Sequence, residues 1–183
     1  MTEVLDVDPC FHALICHPRA QIRPPAPSVN MATYRAALDA PLRDISGEAV
    51  AEVRSFMIAD VPVRLYRPEE KDGMAPVILF FHGGGFVAGS LDTHDMLCRA
   101  LCRATGCAVL AVDYRLAPEH PHPAAIDDGV AVLRWLATDG RSHGIRVDRV
   151  GLCGDSAGGY LAVRVALAAR DAALTPLPCY AVD

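Results

Sequence analysis

Two short apolar runs at residues 77–81 and 107–112, and a third run at 147–153 that ends in Gly154, set the limits on what this chain can become. None shows the polar alternation of a strand with one wet face, so each needs cover on both sides. Helix-like stretches alternate with them, over residues 91–105, 124–139 and 156–170. In the second stretch Ile126, Val130, Leu133 and Trp135 fall on or near one stripe. Strand–helix alternation of this kind predicts an α/β fold, a mostly parallel sheet with helices on both faces. Residues 178–182 would begin a fourth such strand, leaving the strand at 147–153 short of a neighbour. Upstream, residues 50–56 and 61–66 read as an antiparallel pair turning at Ala59 and Asp60. A short helix is expected over residues 30–42, ended by Pro41.

Composition excludes several classes of function. The 183 residues carry 17 basic and 22 acidic side chains, a net charge of −5, and no basic face that would hold nucleic acid. No apolar run approaches the roughly 20 residues of a membrane span. Glu3, Asp6 and Asp8 stand where a secretory signal would be positive, so the expected location is cytoplasmic. The seven cysteines form no CxxC pair, which argues against a zinc ribbon or a thioredoxin-type site. Cys98 and Cys102 would share a helix face as buried thiols. Cys10, His12, Cys16 and His17 match no standard ligand spacing, so no metal is expected. Lys71 is the only lysine, and no phosphate-loop motif accompanies it. No cofactor is expected.

Two motifs carry chemistry. Gly154, Asp155, Ser156, Ala157 and Gly158 spell G-x-S-x-G between a predicted strand and a predicted helix, the setting of a nucleophile elbow. Small neighbours permit a strained turn that lifts Oγ above the sheet, and the helix N-terminus favours developing negative charge. His82, Gly83, Gly84 and Gly85 follow the strand at 77–81. Three glycines allow several N–H groups to converge on one oxygen, as an oxyanion hole requires.

These blocks, together with residues 86–95 and 113–121, resemble the hormone-sensitive-lipase family of α/β-hydrolases, which includes many bacterial carboxylesterases. The resemblance implies that Ser156 is the acyl-accepting nucleophile and that the N–H groups of Gly84, Gly85 and Ala157 form the oxyanion hole. It implies structural places near the site for His82, Gly83 and Asp155, with Arg115 and Glu119 as framework residues. His94 and Asp95 are likewise expected to be structural. It divides the chain into a cap-like segment, 1–45, and a partial hydrolase core, 46–183. The expected partner is a small-molecule ester, with a homo-oligomer as a further expectation.

A serine nucleophile needs a base, and the base an orienting acid, in the order Ser, Asp or Glu, His. Asp171 and Asp183 follow Ser156, but no histidine does. The upstream histidines would have to be arranged in a way foreign to the fold. The sequence therefore reads as a hydrolase lacking its C-terminal third, inactive as it stands. A non-catalytic ligand-binding homologue and a serine peptidase on the same fold are the alternatives.

Overall fold

The computed structural model describes residues 30–39, 47–68, 73–172 and 179–182. Most of the expected cap-like segment, and the Cys10–His17 cluster, lie outside them. Helix α1 spans Met31–Asp39, within the helix expected there. Strands β1 (Glu52–Ile58) and β2 (Val61–Arg67) form an antiparallel hairpin with Ile58 opposite Val61. Its two turn residues, Ala59 and Asp60, have φ of 47° and 68°, the doubly left-handed turn whose twist suits a hairpin. Then follow β3 (Ala75–Phe81), α2 (Asp95–Thr105), β4 (Ala108–Val112), α3 (Ala124–Asp139), a short 3₁₀ helix (Gly140–His143), β5 (Ile145–Gly154), α4 (Ala157–Asp171) and β6 (Cys179–Val182).

The six strands lie in the order β1-β2-β4-β3-β5-β6. Pairing is antiparallel at the β1–β2 and β2–β4 contacts and parallel at β4–β3, β3–β5 and β5–β6. The pairing of β6 along Val150–Cys153 corrects the expectation that β5 lacks a neighbour; β6 is the outermost strand. Every residue of β4 is buried. Because side chains alternate across a strand, Val109 and Ala111 face α2, with Tyr66, Phe80, Cys98 and Cys102. Ala108, Leu110 and Val112 face the other way, into the layer built by α3 and α4 with Leu133, Leu136, Leu161 and Val165. Cys98 and Cys102 are free, buried thiols, as their spacing suggests.

Two boundaries differ from the sequence reading. Helix α2 starts at Asp95 rather than residue 91. Ser90 and Thr93 form a turn ahead of it, Ser90 N–H donating to Thr93 Oγ1 at 2.9 Å and Thr93 N–H to Ser90 Oγ at 3.3 Å. Those side chains satisfy the backbone locally and so compete with the helix. In α3 the buried stripe runs Ile126, Gly129, Val132, Leu133 and Leu136. Val130 and Trp135 flank it instead, Trp135 meeting Phe56 with ring centroids 5.6 Å apart. Gly129 lies on the stripe because Val165 and Phe81 press against its backbone, a contact that helical periodicity of apolar residues does not register.

The feature that positions the site is the pairing of Phe81 with Gly154. Strands β3 and β5 end level with each other, so the chains leaving them emerge side by side.

Candidate active site

Ser156 occupies the turn between β5 and α4 with φ 53° and ψ −116°, a backbone conformation costly for a residue with a Cβ. The turn is compressed from both sides. A Cβ at Gly154 would run into Phe81 O and Gly158 backbone, and one at Gly158 would run into Phe81 O. Helix α4 therefore begins almost on top of the end of β3. Its first bonds are Gly158 N–H to Asp155 O at 2.8 Å and Tyr160 N–H to Ser156 O at 3.2 Å.

The glycine loop meets this turn directly. Gly83 N–H donates to Asp155 Oδ1 at 2.8 Å. Gly84, Gly85 and Phe86 then take positive φ of 124°, 63° and 63°. The Gly84 carbonyl is turned back into its own loop, accepting from Val87 and Ala88 N–H at 3.1 and 3.0 Å. Glycine is required at 84, where a Cβ would strike Ala88 O, whereas at 85 a Cβ would meet open space. The seven residues singled out in the sequence, His82 to Gly85 and Asp155 to Ala157, thus sit together at the ends of β3 and β5.

His82 is 2% exposed and braces the loop from beneath. Its Nδ1–H donates to Gly83 O at 2.8 Å, its ring stacks on Tyr114 at 4.3 Å, and Tyr114 O–H donates to His82 O at 2.7 Å. Desolvation lowers its pKa from 6.5 to about 4, against a smaller raising effect of the Gly83 hydrogen bond. At neutral pH the ring is uncharged, so the 3.9 Å approach of Nε2 to Asp113 is not an ion pair. The unfolded chain takes up this proton near pH 6.5 and the folded chain only near 4. The stabilisation is complete above about pH 6.5 and is lost as pH falls from there to 4. At 1.4 kcal/mol per pH unit the loss is about 3–4 kcal/mol. Urea midpoints between pH 7 and 4.5 should fall more steeply for the wild type than for His82→Gln; parallel slopes would refute this assignment.

Arg115 and Glu119, expected as framework residues, act through partners that no motif names. Asp128 is buried and accepts from Arg115 N–H at 2.8 Å while pairing with its guanidinium at 2.7 Å, which fixes the loop after β4. Glu119 pairs with Arg35 of α1 at 2.7 Å; Arg35 also donates to Val87 O at 2.6 Å and Ala117 O at 2.9 Å. One guanidinium so joins α1 to the glycine loop and to the loop after β4. These partners are far apart in sequence and carry no spacing signal. A cavity of about 430 Å³ opens beside Gly85, walled by Phe86, Ile126, Tyr160 and Leu161, with His120 and His122 at its lining. Phe86 and Tyr160 meet edge to face, centroids 5.9 Å apart. A second cavity, about 410 Å³, lies at the start of β3, away from Ser156. Among the described residues no cluster of His, Cys, Asp and Glu could hold a metal ion, and no helix is long and apolar enough to cross a membrane.

Comparison with known proteins gives concordant matches. Residues 78–182 match a family described as alpha/beta hydrolase fold. The chain is 49% identical over 119 residues to esterase LipI of Mycobacterium tuberculosis, covering 64% of this chain and 37% of LipI. It is 45% identical over 120 residues to carboxylesterase NlhH of the same species, covering 66% of this chain and 38% of NlhH. Among solved structures, carboxylesterase EstE1 from a metagenomic library superposes with a TM-score of 0.77 at 36% identity, over 83% of this chain and 54% of EstE1. A hyperthermophilic esterase from Pyrobaculum calidifontis gives 0.74 at 37% identity, over 79% and 50%. The matches thus span well under half of the two curated relatives.

Proposed function

Since this chain belongs to the alpha/beta hydrolase fold family, we propose that it hydrolyses carboxylic esters by an acyl-enzyme route with Ser156 as nucleophile. In that reading Ser156 Oγ attacks the ester carbonyl, and its proton passes by way of the base to the alcohol oxygen as that C–O bond breaks. Water then cleaves the acyl-enzyme to free the acid and Ser156. The N–H groups of Gly84, Gly85 and Ala157 receive the charge that forms on the carbonyl oxygen, assisted by the N-terminus of α4. His82 is not the base: its Nδ1–H is committed to Gly83 O and its ring is sealed beneath the loop. No histidine follows His143 in the sequence, so the base and its acid are assigned to no residue here.

The observation that carries the reading is the strained turn at Ser156, placed against the glycine loop by the Gly83–Asp155 bond. It is tested by grafting onto residue 182 the stretch that follows the matched region in LipI, which on this reading would bring the base and its acid. The graft should turn over p-nitrophenyl esters, and an alkyl fluorophosphonate should leave its adduct on Ser156. An adduct on another residue, with Ser156 unmodified, would overturn the assignment.

A further inference from the structure

Asp155 is where the two halves of the site are tied together, and it is held by a residue outside both motifs. Its Oδ1 accepts Gly83 N–H at 2.8 Å and faces His94 Nε2 at 3.3 Å. His94 is fixed from its other side, where Nδ1 meets Thr93 Oγ1 at 2.8 Å. That hydroxyl accepts Ser90 N–H at 2.9 Å and lies 3.0 Å from Ser90 O. The ring stands 5.5 Å from that of His82 and 6.1 Å from that of Phe80, so it has little room to turn.

Which nitrogen carries hydrogen follows from the donor inventory. An ionised carboxylate only accepts, so the nitrogen facing it must donate. Thr93 has one hydroxyl proton. If that proton goes to Nδ1, the ring is the neutral tautomer with hydrogen on Nε2. If it goes to Ser90 O, Nδ1 donates to Thr93 and both nitrogens carry hydrogen. In either setting Nε2 carries a hydrogen and lies 3.3 Å from Asp155 Oδ1, within ion-pair range of the carboxylate.

We propose that His94 is a positioning residue: acting through Asp155, it latches the Gly83–Gly85 loop to the Ser156 turn. Its purpose rests on the ester-hydrolase reading; the latch itself does not. Asp155 is 45% exposed at its side chain, so without a second anchor its carboxylate would be free to change rotamer. Such a change would release Gly83 N–H. With His94 in place the carboxylate packs close against the loop, and a Cβ at Gly83 would stand only 2.9 Å from Asp155 Cγ. Glycine at 83 is therefore part of the same latch.

The test is amide hydrogen exchange on the 183-residue chain, read residue by residue by NMR. Gly83 N–H should exchange about tenfold or more faster in His94→Leu than in the wild type, because a charge-assisted bond loses its second anchor. The amide shifts of Gly84 and Gly85 should move with it, while the core amide of Leu110 keeps its protection. His94→Gln, whose side-chain N–H₂ can still donate to Asp155, should restore most of the protection at Gly83. Unchanged exchange at Gly83 in His94→Leu overturns the proposal, as does failure of the Gln variant to restore it with Leu110 still protected. Neither result depends on turnover, so the ester-hydrolase reading stands or falls separately on Ser156.

Discussion

In the LipI-grafted chain, Ser156→Ala is expected to lower kcat/KM for p-nitrophenyl butyrate by about 10⁴-fold or more. Loss of the nucleophile removes the covalent step, and what remains is the effect of the oxyanion donors and of binding. The loss should fall almost wholly on kcat, because Oγ engages the ester only as the new bond forms. The ungrafted 183-residue chain supplies the contrast. It has the proposed nucleophile and donors but no histidine after His143, so wild type and Ser156→Ala should hydrolyse the ester equally slowly. Rapid turnover by the ungrafted chain, abolished by Ser156→Ala, would mean that an upstream group acts as base. Turnover of the graft that survives Ser156→Ala would remove Ser156 from the mechanism altogether. Replacing a donor glycine is a less direct test at Gly84, where a Cβ would collide with Ala88 O and disturb the loop as a whole. At Gly85 a Cβ meets nothing, and the change is confined to the strain of φ 63°.

How far the site could be read from the chain depends on the range of each interaction. The elbow and the glycine loop are local: a few consecutive small residues after a strand specify both, and they were legible as motifs. Their meeting was legible too, because each follows a core strand of a parallel sheet, and such strands end on one side. The antiparallel pair was announced by alternation and by its turn at Ala59 and Asp60. What escaped were long-range polar contacts. Arg35 reaches across 84 positions to Glu119, and nothing in the neighbourhood of either residue encodes that distance. Asp128 is covered by Arg115, thirteen positions earlier on another element, and nothing local to Asp128 announces that pairing. His94 was placed only by its nearness in sequence to the glycine loop; its partner, Asp155, is on a different strand end. Gly129 marks a third kind of omission. A periodic reading tallies apolar side chains, and a glycine that lets Phe81 and Val165 close in counts as a gap.

Glycine 158 turns that omission into the largest expected effect on stability. By helix propensity alone, Gly158→Ala inside α4 should stabilise the chain by up to about 1 kcal/mol. The packing predicts the opposite sign. A Cβ at 158 would run into Phe81 O and stand 2.7 Å from Phe81 C and 2.8 Å from His82 O, all of them backbone atoms. Phe81 cannot yield, because it is paired with Val112 on one side and Gly154 on the other. Helix α4 must then lift away from β3, opening the layer where Leu161 and Val165 are buried. A cost of about 4 kcal/mol or more is expected, at the far end of what single substitutions do and a large share of a domain's total stability. Gly85→Ala serves as the control, with open space for its Cβ and only the strain of a positive φ, about 1–2 kcal/mol. Urea unfolding of the two variants should therefore separate by at least about 2 kcal/mol, with Gly158→Ala the weaker. The same shift would carry Ser156, two residues earlier, off the glycine loop, so in the grafted chain any folded fraction of Gly158→Ala should also lose kcat. A Gly158→Ala chain as stable as the wild type would show that α4 moves freely over the end of β3, and that this contact does not set the geometry of the turn.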